Sequence, residues 1–106
     1  MKVVLDECLP RKLKRFLPGY DVSTVPEMGW AGIKNGMLLR TMEPAVDVFI
    51  TIDGNLEYQQ NLSRFKMGLI VLAAPDNTIE TLSPMAPHIL QALQNIRPGQ
   101  LVRISA

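Results

Sequence analysis

Three strongly apolar runs constrain what this chain can fold into: Lys2 to Leu5, Val46 to Ile52, and Met67 to Ala73. They are rich in Val, Ile, Leu and Phe. They lack the strict apolar–polar alternation of a strand with one wet face. Such runs read as strands buried on both faces. Two of them are closed by an aspartate, Asp6 and Asp53, and the third is bounded by Pro75.

The segments between the runs carry helical spacing. Pro10 opens a helix in which Leu9, Leu13, Phe16 and Leu17 share a face, and Pro18-Gly19 stops it. Asp21 to Val25 is strand-like, and Pro26 to Gly32 is a loop holding the only tryptophan. Lys34 to Glu43 reads as a helix closed by Pro44. Asp53-Gly54-Asn55 is a turn pattern, and Leu56 to Leu62 reads as one irregular helical turn. Ile79, Leu82, Ala86, Ile89, Leu90 and Leu93 are spaced for a helix. Pro84 and Pro87 place its regular start near Ser83 or Ala86. Pro98-Gly99 is a turn, and Leu101 to Ile104 a last short strand. Strands alternating with helices predict an α/β three-layer sandwich with a mostly parallel five-stranded sheet, in one domain over 1–106.

Composition narrows the function classes. Lys plus Arg is 11 and Asp plus Glu 10, so a strongly basic nucleic-acid coat is excluded, but a local basic patch is not. One cysteine, Cys8, and one histidine, His88, supply neither a disulfide nor a Cys/His zinc site. No apolar run reaches a membrane span, and acids at Asp6 and Glu7 interrupt any signal-peptide core. The expected location is cytoplasmic. Neither of the usual glycine-rich phosphate loops occurs.

Parallel α/β sheets carry functional groups beyond the carboxyl ends of their strands. Asp6 and Asp53 fall there, and Glu7 follows Asp6. Carboxylates on strands ~4.8 Å apart, or twice that, can share a hydrated divalent ion. The chemistry that uses this pattern is metal-assisted phosphodiester cleavage. Aspartate after a strand also caps turns, and position alone leaves both readings open.

Four motifs, in order, carry a family resemblance. Val3-Val4-Leu5-Asp6-Glu7-Cys8-Leu9-Pro10 resembles the "LLDENLP" opening of the small PIN-like domain family. Asp21-Val22 with Val25 resembles its "HDV…V" strand. Gly29 to Leu39 resembles its "lGw.G..DgeLL" segment, and Val48 to Leu56 its "vl.T.DkdF" segment. The resemblance implies a PIN-like fold related to VapC toxins, which are Mg²⁺- or Mn²⁺-dependent ribonucleases often encoded beside a small antitoxin. It implies that Asp6 and Asp53 hold the ion and that Glu7 assists. It also implies a homodimer, as is common among relatives.

The chain departs from the family at Cys8, where Asn is usual, and at Asn35 and Met37, where acids are common. It departs again at Asn55, where another Asp is usual. Asn35 and Asn55 are then supporting polar groups that orient ligands or water. The expected function is a metal-dependent endoribonuclease, the toxin of a toxin–antitoxin pair. The alternative is a weak or inactive PIN-like binding module that acts through a protein partner. Arg11, Lys12, Lys14 and Arg15 are the candidate RNA-backbone contacts, or simply the solvated face of their helix. Trp30 reads as a plug between loop and core rather than a base-stacking platform. Tyr58, Gln59, Gln60 and Asn61 line the site mouth or form a surface turn. A Cys8–His88 nucleophile pair lacks a third orienting residue.

Overall fold

The computed structural model describes residues 1–54 and 65–106. Five parallel strands form one sheet: β1 (Lys2–Leu5), β2 (Asp21–Thr24), β3 (Val48–Thr51), β4 (Gly68–Ala73) and β5 (Leu101–Ser105). Their order across the sheet is β2-β1-β3-β4-β5. Every pair among them is parallel, where a mostly parallel sheet was expected.

Burial follows position in the sheet. All of β3 is buried, as are Val3 to Leu5 of β1 and Gly68 to Leu72 of β4. The edge strands β2 and β5 keep exposed residues. This is why the inner strands are legible as apolar runs while Asp21 to Val25 shows only a weak pattern. β3 is shorter than the run Val46 to Ile52. The Val46 N–H bonds back to the Met42 carbonyl at 2.9 Å and so belongs to the end of a helix.

Helices cover both faces. On one face, Leu13 and Leu17 join Leu82, Met85, Ile89 and Leu93 over the odd-numbered residues of β1 and the even-numbered residues of β3 and β4. On the other face, Leu38, Leu39 and Met42 of α1 (Asn35–Met42) pack on Val4, Phe49, Leu69 and Val71. Trp30 is half-buried against this second core, in keeping with a plug.

Two helical expectations change in detail. Arg11–Phe16 is a 3₁₀ helix, η1, rather than an α-helix. In an α-helix the Lys14 carbonyl would accept from residue 18, but Pro18 has no N–H. The Leu17 N–H takes its place at 3.1 Å, and Gly19 turns the chain at φ 87°. At the other end of the chain, helix begins at Ile79 rather than near Ser83 or Ala86. It runs through α2 (Ile79–Leu82), η2 (Ser83–Met85) and α3 (Ala86–Asn95). Thr78 caps it by accepting from the Thr81 N–H, and the prolines insert a 3₁₀ turn instead of delaying the start. The expected turn over Leu56 to Leu62 lies outside the described residues.

Gly68 opens β4 under Ile96. A Cβ there would lie 2.8 Å from Ile96 Cδ1, so the bare backbone lets that side chain settle on the sheet. Among the described residues no helix is long and apolar enough to cross a membrane.

Phe49 is 1% exposed at the centre of the sheet. Phe49→Ala is expected to cost about 3–5 kcal/mol, a large share of a small domain's stability, read as a lower urea midpoint with an unchanged slope.

Candidate functional site

The strand order reverses between β1 and β3. From β1 the chain moves outward to β2, then returns past β1 to β3 and continues the other way. The carboxyl ends of β1 and β3 therefore flank a switch point, where open α/β sheets bind ligands.

Asp6 stands at this point. Its N–H donates to the Ile50 carbonyl at 2.9 Å, which carries the β1–β3 pairing one step beyond the strand. Its carboxylate is buried, with the residue 9% exposed. The Thr51 hydroxyl, fully buried, donates to Asp6 Oδ2 at 2.7 Å. The Glu7 N–H donates to Asp6 Oδ1 at 2.8 Å. The same Thr51 oxygen accepts from the Asp53 N–H at 3.0 Å. One hydroxyl thus joins the Asp6 carboxylate to the backbone that carries Asp53. The structure brings these two sequence-predicted acids to one end of adjacent strands. Asp53 is half-buried, and Glu7 is exposed, linked to Asp6 through its backbone.

Cys8 also belongs here. Burial pushes its thiol above the ordinary 9.0. The Ile52 backbone and the Thr51 hydroxyl pull it down, and the Asp6 charge pushes it up. A thiol held protonated in this way is a poor nucleophile. His88 sits elsewhere, exposed on α3 in a cavity of about 400 Å³ against the edge strand β5, so the Cys8–His88 pair does not form. The Asn77 amide donates to the Cys8 carbonyl at 2.7 Å and ties the β4–α2 loop to the β1 loop.

The donor set can be weighed against a divalent cation. Asp6 Oδ1 accepts from the Glu7 N–H and Oδ2 from the Thr51 hydroxyl, the Cys8 thiol also hydrogen-bonds to this carboxylate, and the carboxylates of Asp6 and Asp53 are hard oxygen donors. Among the described residues no three His, Cys, Asp or Glu side chains group as metal ligands. Two carboxylates fall short of an all-protein cage, and an ion held by so few would have to keep most of its water, as Mg²⁺ does. The Asn35 side chain, Asn55, and Tyr58 to Asn61 lie outside the described residues.

The four cations of η1, Arg11, Lys12, Lys14 and Arg15, line a groove of about 520 Å³. Glu27 takes part of that charge. Lys14 Nζ lies 3.0 Å from each Glu27 carboxylate oxygen, and Arg11 Nε lies 3.5 Å from Oε2. The Glu27 carboxylate also accepts from the Thr24 N–H at 2.9 Å, and the Glu27 N–H donates to Thr24 Oγ1 at 3.2 Å. The Lys14 bond first, and the Thr24 N–H second, hold the Glu27 carboxyl at about 2, against an ordinary 4.5.

Sequence reasoning missed Glu27, Thr51 and Asn77 as working residues. Thr24-Val25-Pro26-Glu27 is a T-x-x-E pattern and was a signal for the reciprocal bond. Thr51 was visible as the polar interruption in an apolar strand and as the Thr of the "vl.T.DkdF" resemblance, though with no role assigned, and Asn77 had no local signal.

No family model, curated protein or solved structure matches the chain.

Two predictions follow from this geometry. Thr51→Val removes the donor to a buried carboxylate and the acceptor for Asp53, and is expected to cost about 1–3 kcal/mol in urea unfolding, with Thr51→Ser much milder. Glu27 is depressed in the folded state, so its stabilisation is complete above 4.5 and fades as pH falls toward about 2. The melting-temperature gap between wild type and Glu27→Gln should be widest at neutral pH and close across that window.

Proposed function

We propose that this chain is a PIN-like, Mg²⁺- or Mn²⁺-dependent endoribonuclease, cytoplasmic, acting as the toxin partner of a small antitoxin. The single observation that carries the reading is the Asp6–Thr51–Asp53 hydrogen-bond chain at the β1/β3 switch point. Asp6 and Asp53 would hold the ion. A bound ion of this class supplies positive charge to a phosphoryl oxygen and acidifies a water.

The chain's own residues do the rest. Thr51 and the Glu7 N–H fix the Asp6 carboxylate in one orientation, as partners of metal-ligating carboxylates do. Glu7, exposed and next to Asp6 in the chain, would assist. The η1 cations draw the RNA backbone toward that edge of the sheet without reading its sequence. A second copy of the chain would lengthen the RNA path in a homodimer.

A second reading, a binding module that acts through a protein partner, has one observation in its favour. Met37 stands where the family commonly has an acid, and it is 59% exposed.

RNA cleavage in Mn²⁺ separates the two readings. Asp6→Asn and Asp53→Asn are expected to abolish cleavage, and Thr51→Val to reduce it ~10–100-fold through the orientation of Asp6. Mn²⁺ should raise the melting temperature of wild type and not that of Asp6→Asn. Cleavage that persists unchanged in both Asp variants sinks the assignment. No cleavage and no Mn²⁺ stabilisation of wild type favours the binding module.

A further inference from the structure

The cations of η1 fall into two ridges. A 3₁₀ helix has three residues per turn, so side chains at i and i+3 eclipse. Arg11 and Lys14 form one ridge, and Lys12 and Arg15 the other. Only the first ridge has an internal counterion: Glu27 sets its single negative charge against both Arg11 and Lys14. Lys12 and Arg15 are exposed and make no ion pair among the described residues.

Glu27 comes from the turn after β2, not from η1. Its reciprocal bond with Thr24 fixes it there, so the backbone and not the cations alone aims the carboxylate. A carboxylate held between an ammonium and a guanidinium makes the charge-assisted contacts that a phosphate oxygen would make. We infer that the η1 groove is a two-position site for the phosphates of single-stranded RNA, in which Glu27 fills one position and is displaced when RNA binds. The identity of the polyanion rests on the ribonuclease reading; the two ridges and the Glu27 contact do not.

This arrangement has a consequence in salt. Each phosphate neutralised on a single strand releases counterions and adds ~0.7 to the slope of log K against log salt. Arg11 and Lys14 already have an internal counterion, so exchanging Glu27 for a phosphate releases little. The wild-type slope from η1 then comes chiefly from Lys12 and Arg15. Freeing the other ridge steepens it.

The test is fluorescence anisotropy with a labelled oligouridine, in EDTA to suppress cleavage, over a series of salt concentrations. Gln retains an acceptor for the Thr24 N–H, so Glu27→Gln keeps the turn, checked by circular dichroism. It is expected to bind about two- to fivefold more tightly at low salt, the equivalent of one exposed ion pair. Its slope should be steeper by ~0.7–1.4, for one or two further phosphate contacts. Lys12→Gln with Arg15→Gln should weaken binding in both backgrounds. Lys14→Gln should cost little in wild type and several-fold in Glu27→Gln. Unchanged or weaker binding by folded Glu27→Gln overturns the inference, as does a wild type and a Glu27→Gln that both fail to bind. Steepening in Glu27→Gln with cleavage unaffected by Asp6→Asn would sink the ribonuclease reading and leave the groove standing. Loss of cleavage in Asp6→Asn without that steepening does the reverse.

Discussion

β1, β3 and β4 are covered on both faces, so their side chains must be apolar or hydrogen-bonded until the chain leaves the sheet. The first carboxylate that can appear is therefore at a strand end, and Asp6 stands there. Thr51 is the polar residue allowed inside, because its hydroxyl donates to Asp6 and accepts from the Asp53 N–H. Both groups would be costly to bury alone. Together with the Glu7 N–H they satisfy one another, and the loops after β1 and β3 are held in register as a result. Asn77 adds the loop after β4 to the same cluster.

A basic segment follows the acidic end of β1 directly in the chain. η1 begins five residues beyond Asp6 and carries four of the 11 positive residues. Glu27 cancels part of that charge from the neighbouring turn. The surface is thus less basic than its sequence suggests, and Lys12 and Arg15 are the two of its four cations with no ion pair among the described residues.

Much of the fold was legible because two-sided burial writes itself into composition: a strand with no wet face has few polar residues to show. Edge strands and helix ends were read less sharply. Pro18 changed the hydrogen-bond pattern of η1: Leu13 and Leu17 lie in the core as expected, but Phe16, expected on the same face, is 41% exposed because three residues per turn carry it off that face. The start at Ile79 was hidden because Pro84 and Pro87 suggested a break, whereas the Thr78 cap and a single 3₁₀ turn accommodate both. Of the candidate site, Asp6 and Asp53 were readable from their places at strand ends. Thr51, Asn77 and Glu27 act through contacts with residues 45, 69 and 13 positions away, and no local pattern encodes those distances.

The sequence alone determined the strands, the faces they bury and the places where carboxylates can stand, because these follow from local periodicity and the cost of burying charge. Only the tertiary structure decided the strand order. That order makes β1 and β3 neighbours, lets one hydroxyl serve Asp6 and Asp53 together, and lays Glu27 across Arg11 and Lys14. Pairings between distant segments depend on the order in which strands add to the sheet, and that order is set by packing over both faces rather than by any single run of residues.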